Sequence, residues 1–174
     1  MKTLAIVSHP YADRSRVINA LQQTAEGCAD VTVRNLEALY GDDMASIDVA
    51  AEQAACEGMD RIVFIYPTHW FNLTPMLKAY LNAVWTYGWA FGPGGDALKG
   101  KELLVVTSAG ASEFTYSHAG LLQSTMEEVL TPMKASALYV GMRYLPPLAF
   151  YEVAGAQRDN LAQFQQQLAA RLGQ

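Results

Sequence analysis

The sequence predicts an α/β fold in which a five-stranded parallel sheet is covered by helices on both faces. Three observations carry that prediction. Short runs rich in Val, Ile and Leu alternate along the chain with longer segments of helical period. Three of those runs are apolar at nearly every position, as strands buried on both faces must be. The length, 174 residues, suits one domain that buries a full core without disulfide or metal staples. Residues 1–174 are therefore read as a single domain.

The first strand is Thr3 to Ser8, with Leu4 to Val7 as an unbroken apolar run, and a helix follows over Ser15 to Gly27. The second strand, Val31 to Asn35, precedes a helix over Val49 to Gly58. The third strand, Arg61 to Pro67, leads to the helix with the clearest pattern, Pro75 to Trp85. There Thr74 supplies an N-cap and Pro75 the first helical position, while Met76, Leu77, Tyr80, Leu81, Val84 and Trp85 form one apolar stripe. The fourth strand is Glu102 to Ala109, followed by a helix over Gly120 to Leu130. A fifth strand is read over Ala137 to Arg143, and the last helix, Gln157 to Leu172, aligns Leu161, Phe164, Leu168 and Leu172 on one face.

Right-handed crossovers applied to five βα units leave few topologies, and the flavodoxin-like order 2-1-3-4-5 is a common one at this length. Ligands in such sheets sit at the carboxyl ends of the strands, which directs attention to the loops after Ser8, Pro67 and Ala109. Composition removes other classes. The net charge is -5, the sequence pI is near 5.1 and the Lys and Arg residues are scattered, so nucleic acid is not an expected partner. Cys28 and Cys56 lie far apart with no zinc-like spacing, and both are read as reduced core thiols with no metal site. Leu4 to Val7 is too short for a signal peptide and nothing resembles a membrane span, so a cytoplasmic location is expected. The charged fraction, 17%, is below the usual value of about 25%, which suggests a subunit interface.

Each of the three loops carries candidate chemistry. In Ser8-His9-Pro10-Tyr11-Ala12-Asp13-Arg14-Ser15, a polar turn opens onto a helix whose first N–H groups can bind a phosphate, with Arg14 and Arg16 adding charge. The competing reading is an ordinary turn with Asp13 or Ser15 as cap. In Tyr66 to Leu73, Trp70 and Phe71 either stack on a flat ring system or plug the helix beneath. Thr107 to Ser112 is a run of small residues that either lets a ligand approach the backbone or simply turns the chain. Tyr116 and His118 follow with hydrogen-bonding tips, and all three histidines, at 9, 69 and 118, fall in or near these loops.

Together these segments resemble the NAD(P)H quinone oxidoreductase family of flavodoxin-like proteins, and especially the ancillary quinone reductases of glutathione-gated potassium efflux systems. The resemblance spans nearly the whole chain. It is carried by Ser8-His9-Pro10-Tyr11, by Pro67-Thr68-His69-Trp70-Phe71 with Pro75-Met76-Leu77-Lys78, and by Tyr87 to Gly92 leading to Leu98-Lys99-Gly100-Lys101. It implies that His9 with Ser15, Arg16, Val17 and Ile18 would hold the phosphate and ribityl part of a flavin. Pro67, Thr68, His69, Trp70 and Phe71 would line the isoalloxazine, as would Thr107, Ser108, Ala109 and Gly110, where Ser108 and Ala109 replace residues of a family Thr-Thr-Gly-Gly run. Tyr116 and His118 would stand near the reacting ring and stabilise the charge of reduced flavin. The resemblance further implies a homodimer with Tyr87 to Phe91 at the subunit boundary, FMN or alternatively FAD as cofactor, and NADPH or NADH as hydride donor. A quinone or similar flat molecule would be the acceptor in a ping-pong exchange, and a potassium efflux transporter a possible partner at the inner membrane. Two functions compete: a flavin-binding regulatory subunit of a potassium efflux transporter, motivated by the resemblance alone, and a flavodoxin-type electron carrier, disfavoured because His9 to Ser15 is not a Thr-and-Gly-rich phosphate loop.

Overall fold

A computed structural model describes residues 1–155 and 158–173. In chain order the elements are β1 (Thr3–Val7), α1 (Arg16–Glu26), β2 (Val31–Asn35), α2 (Leu36–Tyr40), α3 (Val49–Cys56), β3 (Arg61–Pro67), α4 (Pro75–Val84) and β4 (Glu102–Ser108). The remainder comprises α5 (Met126–Val129), α6 (Thr131–Tyr139), β5 (Arg143–Tyr144), β6 (Leu148–Phe150) and α7 (Arg158–Leu172). The sheet is parallel throughout, in the order β2-β1-β3-β4-β5, with β6 also paired to β4. This is the expected flavodoxin-like order.

The alternating faces of the strands build two cores. Leu4, Ile6, Ile62, Phe64, Leu103 and Val105 point to the face covered by α3, α4 and α6. Ala5, Val7, Val63, Ile65, Leu104 and Val106 point to the other, against α1 and α7. Because β1, β3 and β4 are interior to the sheet and covered on both sides, all their residues are buried, which is why their sequences carry no polar alternation. Each fully buried Val, Ile or Phe there contributes about 1.5–3 kcal/mol of transfer free energy. The stripe on α4 is buried as predicted, from Met76 to Val84, with Trp85 at its end. Thr74 Oγ1 accepts the Leu77 N–H as the N-cap. Among the described residues no helix is long and apolar enough to cross a membrane.

Two expected elements are corrected. The run Ala137 to Arg143 is not one strand: α6 extends through Tyr139, a turn at Gly141 with φ of 77° ends it, and β5 begins only at Arg143. Met133, Ala137 and Val140 are buried while Leu138 and Tyr139 are exposed, a helical rather than a strand pattern. Pro146 and Pro147 then divide the outer edge into β5 and β6, since proline has no N–H for a ladder. The predicted helix over Gly120 to Leu130 is mostly turns, with Gln123 at φ of 51°. Helix begins at Met126, where Thr125 and Glu128 form a capping box. Gln157, read as the first residue of the last helix, lies outside the described residues. Cys56 is buried under Tyr80, and burial pushes its thiol up to about 11, whereas Cys28 is only half-buried.

Candidate functional site

The strands β1, β3 and β4 end side by side, and the chain leaving them is pinned by buried hydroxyls. Ser8 N–H donates to the Ile65 carbonyl at 3.0 Å, and Thr68 N–H to the Ser108 carbonyl at 2.9 Å. Ser8 Oγ donates to Glu37 Oε1 at 2.7 Å and lies 2.5 Å from Thr74 Oγ1. Thr107 Oγ1 donates to the Tyr66 carbonyl at 2.8 Å, leaving Thr68 Oγ1, 2.5 Å away, to donate to Thr107. With their hydroxyls committed below, these residues fix the three loops above them.

Between the loops lies a cavity of about 360 Å³ lined by His9, Arg14, Ser15, Arg16, Val17, Pro67, Thr68, His69, Ser108, Gly110, Val153, Ala154 and Leu161. Nine predicted site residues meet there: His9, Ser15, Arg16, Val17, Pro67, Thr68, His69, Ser108 and Gly110. One wall is the start of α1. Ser15, rather than Asp13, is the cap, its Oγ accepting the Ile18 N–H at 3.1 Å. The N–H groups of Arg16 and Val17 have no partner among the described residues, so two first-turn donors stay open beside two guanidinium-bearing residues. This arrangement suits an anion.

His9 stands next to it. Tyr11 N–H donates to His9 Nδ1 at 2.9 Å, so the neutral ring carries its proton on Nε2. Burial first, and then the nearby His69, hold the His9 imidazole below its ordinary value. The two rings meet edge-on with centroids 5.5 Å apart. On the opposite wall, a Cβ added at Gly110 would meet no heavy atom within 4 Å, so open space rather than protein packing lies over it.

The turn after β3 is strained. Trp70 and Phe71 have φ of 48° and 60°, a region that large side chains rarely occupy, and an Asn72-to-His69 bond of 3.1 Å closes the turn. Trp70 is 91% exposed and plugs nothing. Phe71 meets the Tyr116 ring at 6.1 Å and borders a smaller cavity of about 110 Å³ between α4 and α6, which shares Thr68 with the first.

Other predicted residues fall elsewhere. Ile18 turns into the core with Leu21 and Ala25, and its N–H is spent on the cap. Thr107 is buried beneath Thr68, and Ala109 is buried with its N–H on the Phe150 carbonyl at 2.8 Å. Tyr116 is buried against Phe71 and Tyr151, and burial raises its phenol above its ordinary value. His118 is exposed, bonded to Glu128, and lines neither cavity. Sequence reasoning missed Val153, Ala154 and Leu161. They come from a 3-10 turn after the unforeseen β6 and from α7, with no local signal except the apolar stripe of α7 that contains Leu161.

The comparisons with known proteins agree with this fold. The family model described as "Flavodoxin-like fold" matches residues 1–172. An uncharacterized NAD(P)H oxidoreductase, YdeQ of Bacillus subtilis, is 39% identical over 163 residues, covering 94% of this chain and 82% of that protein. The glutathione-regulated potassium-efflux system ancillary protein KefF of Salmonella newport is 39% identical over 173 residues, 97% of this chain and 94% of its own. The crystal structure of general stress protein 14 from Treponema denticola, in complex with FMN, superposes with a TM-score of 0.93 at 36% identity, covering 99% of this chain and 98% of that one. On the family match and the identity over nearly the whole chain, the chain belongs to the flavodoxin-like family that includes these NAD(P)H oxidoreductases.

Proposed function

We propose that the chain is an oxidoreductase that binds FMN in the cavity at the strand ends and passes hydride from NADPH or NADH to a flat, quinone-like acceptor. The observation that carries this reading is the two-ended cavity. One end offers open Arg16 and Val17 N–H groups with Arg14 and Arg16, and the other offers Thr68, Ser108 and the open space over Gly110. A phosphate monoester joined to a flat ring fits both ends at once.

In this reading the two N–H groups and the guanidinium groups hold the terminal phosphate, and His9 donates through Nε2 to a phosphate or ribityl oxygen. Pro67 to His69 and Ser108 to Gly110 run along the ring, while exposed Trp70 and Phe71 supply stacking surface. His118, exposed beyond the buried Tyr116 and outside the cavity, would meet the acceptor and not the bound ring. When bound, the flavin supplies a ring that takes up hydride and releases it to a second molecule. A single stacking face serves donor and acceptor in turn, which gives ping-pong kinetics.

FMN is favoured over FAD by the FMN complex of the T. denticola relative. The ring chain Tyr87, Phe91, Tyr139, with centroids 5.9 and 5.6 Å apart and Tyr87 and Tyr139 about 70% exposed, is the face on which a homodimer would form. The likeness to KefF supports a cytoplasmic protein docked to a potassium efflux transporter as a second role of the same chain. The test is a visible spectrum of purified protein with added flavin, then NADPH or NADH without air. Flavin bands that bleach and return with a quinone support the reading; protein that takes up neither FMN nor FAD overturns it.

A further inference from the structure

The imidazole of His118 is already engaged. Its Nε2 lies 3.0 and 2.9 Å from the two carboxylate oxygens of Glu128. Glu128 is also the third residue of α5 in the capping box: Thr125 N–H donates to its Oε2 at 2.8 Å, and its own N–H donates to Thr125 Oγ1 at 3.2 Å. One carboxylate thus serves two donors, a helix end and the ring of a residue ten positions upstream. The Thr125 backbone first, and His118 second, hold the Glu128 carboxyl below its ordinary value, so at neutral pH it is an acceptor only.

The backbone that carries His118 is fixed independently. Ala111 accepts from the Glu152 N–H at 3.0 Å, Leu122 N–H donates to the Thr115 carbonyl at 3.2 Å, and Ser117 Oγ donates to the Phe114 carbonyl at 2.7 Å. Tyr116, two residues before His118, is buried between Phe71 and Tyr151. What the backbone leaves undecided is the rotation of the His118 ring. An exposed ion pair adds little stability, but a carboxylate on one imidazole nitrogen fixes both the tautomer and the direction of the other.

We propose that Glu128 is the positioning residue for His118: it anchors the ring through Nε2 and leaves Nδ1 as the nitrogen offered to the acceptor. This rests on the reading above that sets His118 on the acceptor's side, outside the cavity. Other groups of the region act elsewhere, Glu113 and Glu127 bearing on Tyr151 and Glu127 on Tyr144.

The test compares the wild type with Glu128→Gln, Glu128→Ala, Thr125→Ala, His118→Gln and the double variant Glu128→Ala/His118→Gln. The first readout needs no activity: NMR shifts of the imidazole nitrogens, with His118 assigned by its loss in His118→Gln. The wild type and Glu128→Gln, whose amide oxygen accepts the same bond, should show a fixed Nε2–H ring, and Glu128→Ala an averaged one. The second is turnover of flavin-loaded enzyme. Glu128→Ala should lose about tenfold in kcat with the nucleotide KM unchanged, a modest share of what general acid–base groups supply. Thr125→Ala, which breaks the box from its other side, should keep wild-type kcat, and Glu128→Ala should add nothing to His118→Gln. A wild-type ring averaging like free imidazole, equal losses in Thr125→Ala and Glu128→Ala, or losses that multiply in the double variant would each overturn the proposal. Failure of the wild type to bleach with nucleotide would instead overturn the oxidoreductase reading, and the nitrogen shifts would still decide the anchor.

Discussion

The two ends of the same sheet are finished in opposite ways. At the amino end the charges are closed on one another. Arg61 Nε donates to Glu102 Oε2 at 2.6 Å, Arg143 takes the other oxygen, and Arg61 Nη1 donates to the Arg171 carbonyl at 2.8 Å. Lys101 Nζ donates to the Met59 carbonyl at 2.5 Å, and Thr3 Oγ1 is the buried polar atom there without a partner among the described residues. At the carboxyl end the N–H groups of Arg16 and Val17 are open, Trp70 and Phe71 sit at positive φ, and Trp70 is bare. Strand order dictates neither finish. Charged groups are paired on one another where the fold needs only to hold, and donors stay open at the end where a ligand is proposed to bind.

The sharpest way to break this contrast is at the closed end. Glu102→Ala removes the carboxylate to which Arg61 and Arg143 both donate, and removing one partner of such a buried pair costs about 3–5 kcal/mol. The urea midpoint should fall accordingly, while FMN affinity of the folded protein stays at its wild-type value. Weakened flavin binding with unchanged stability would mean that the two ends are not separable.

At the open end the opposite split is expected. Gly110→Val projects into space that no protein atom occupies, so the melting temperature should hold. FMN should bind at least about tenfold more weakly, some 1.4 kcal/mol by titration. A variant that melts early but binds FMN normally would show that Gly110 serves packing instead.

How much of this was legible beforehand follows from where each signal resides. Strands β1, β3 and β4 were readable because two-sided burial writes an apolar residue at every position. The edge was not, because a run as short as Ala137 to Val140 suits a helix or a strand, and Pro146-Pro147 was the overlooked sign that the edge is cut in two. The three candidate loops were picked out from the ends of those strands. Ile18 entered the site through the resemblance, although its spacing with Leu21 and Ala25 already placed its side chain on the core face of α1. The far wall, Val153, Ala154 and Leu161, depends on β6 and on how α7 docks, which no local pattern encodes. Nor does Trp70-Phe71 announce a left-handed turn, since it lacks the Gly or Asn that usually marks one.

That turn offers a finer comparison. Trp70→Gly removes the steric penalty of φ at 48° and loses no burial, since the indole is exposed. Relief of strain of about 1–3 kcal/mol, offset by the greater entropy of glycine in the unfolded chain, should leave the flavin-free protein about 0.5–1 kcal/mol more stable in urea. Flavin-ring affinity should fall in the same variant. A destabilised flavin-free variant would show that the turn is comfortable in this protein and that its strain is not held for a ligand.

The smallest expected effect is electrostatic and concerns His9, whose charged form the fold disfavours through burial and the neighbouring His69. With the folded value below 6.5, the unfolded chain binds more protons on the acid side of that point. The stability of the flavin-free protein is therefore full above about pH 6.5 and is lost as pH falls towards the folded value, a slope that His9→Gln should flatten. Inorganic phosphate reverses the effect, because an anion against the α1 terminus favours the imidazolium that burial and His69 disfavour. Urea midpoints across this range, with and without phosphate, decide the matter. Phosphate should stabilise the wild type more as pH falls and do so less in His9→Gln; an identical phosphate response in both would place His9 outside the anion site and leave Arg14, Arg16 and the open N–H groups to hold the charge alone.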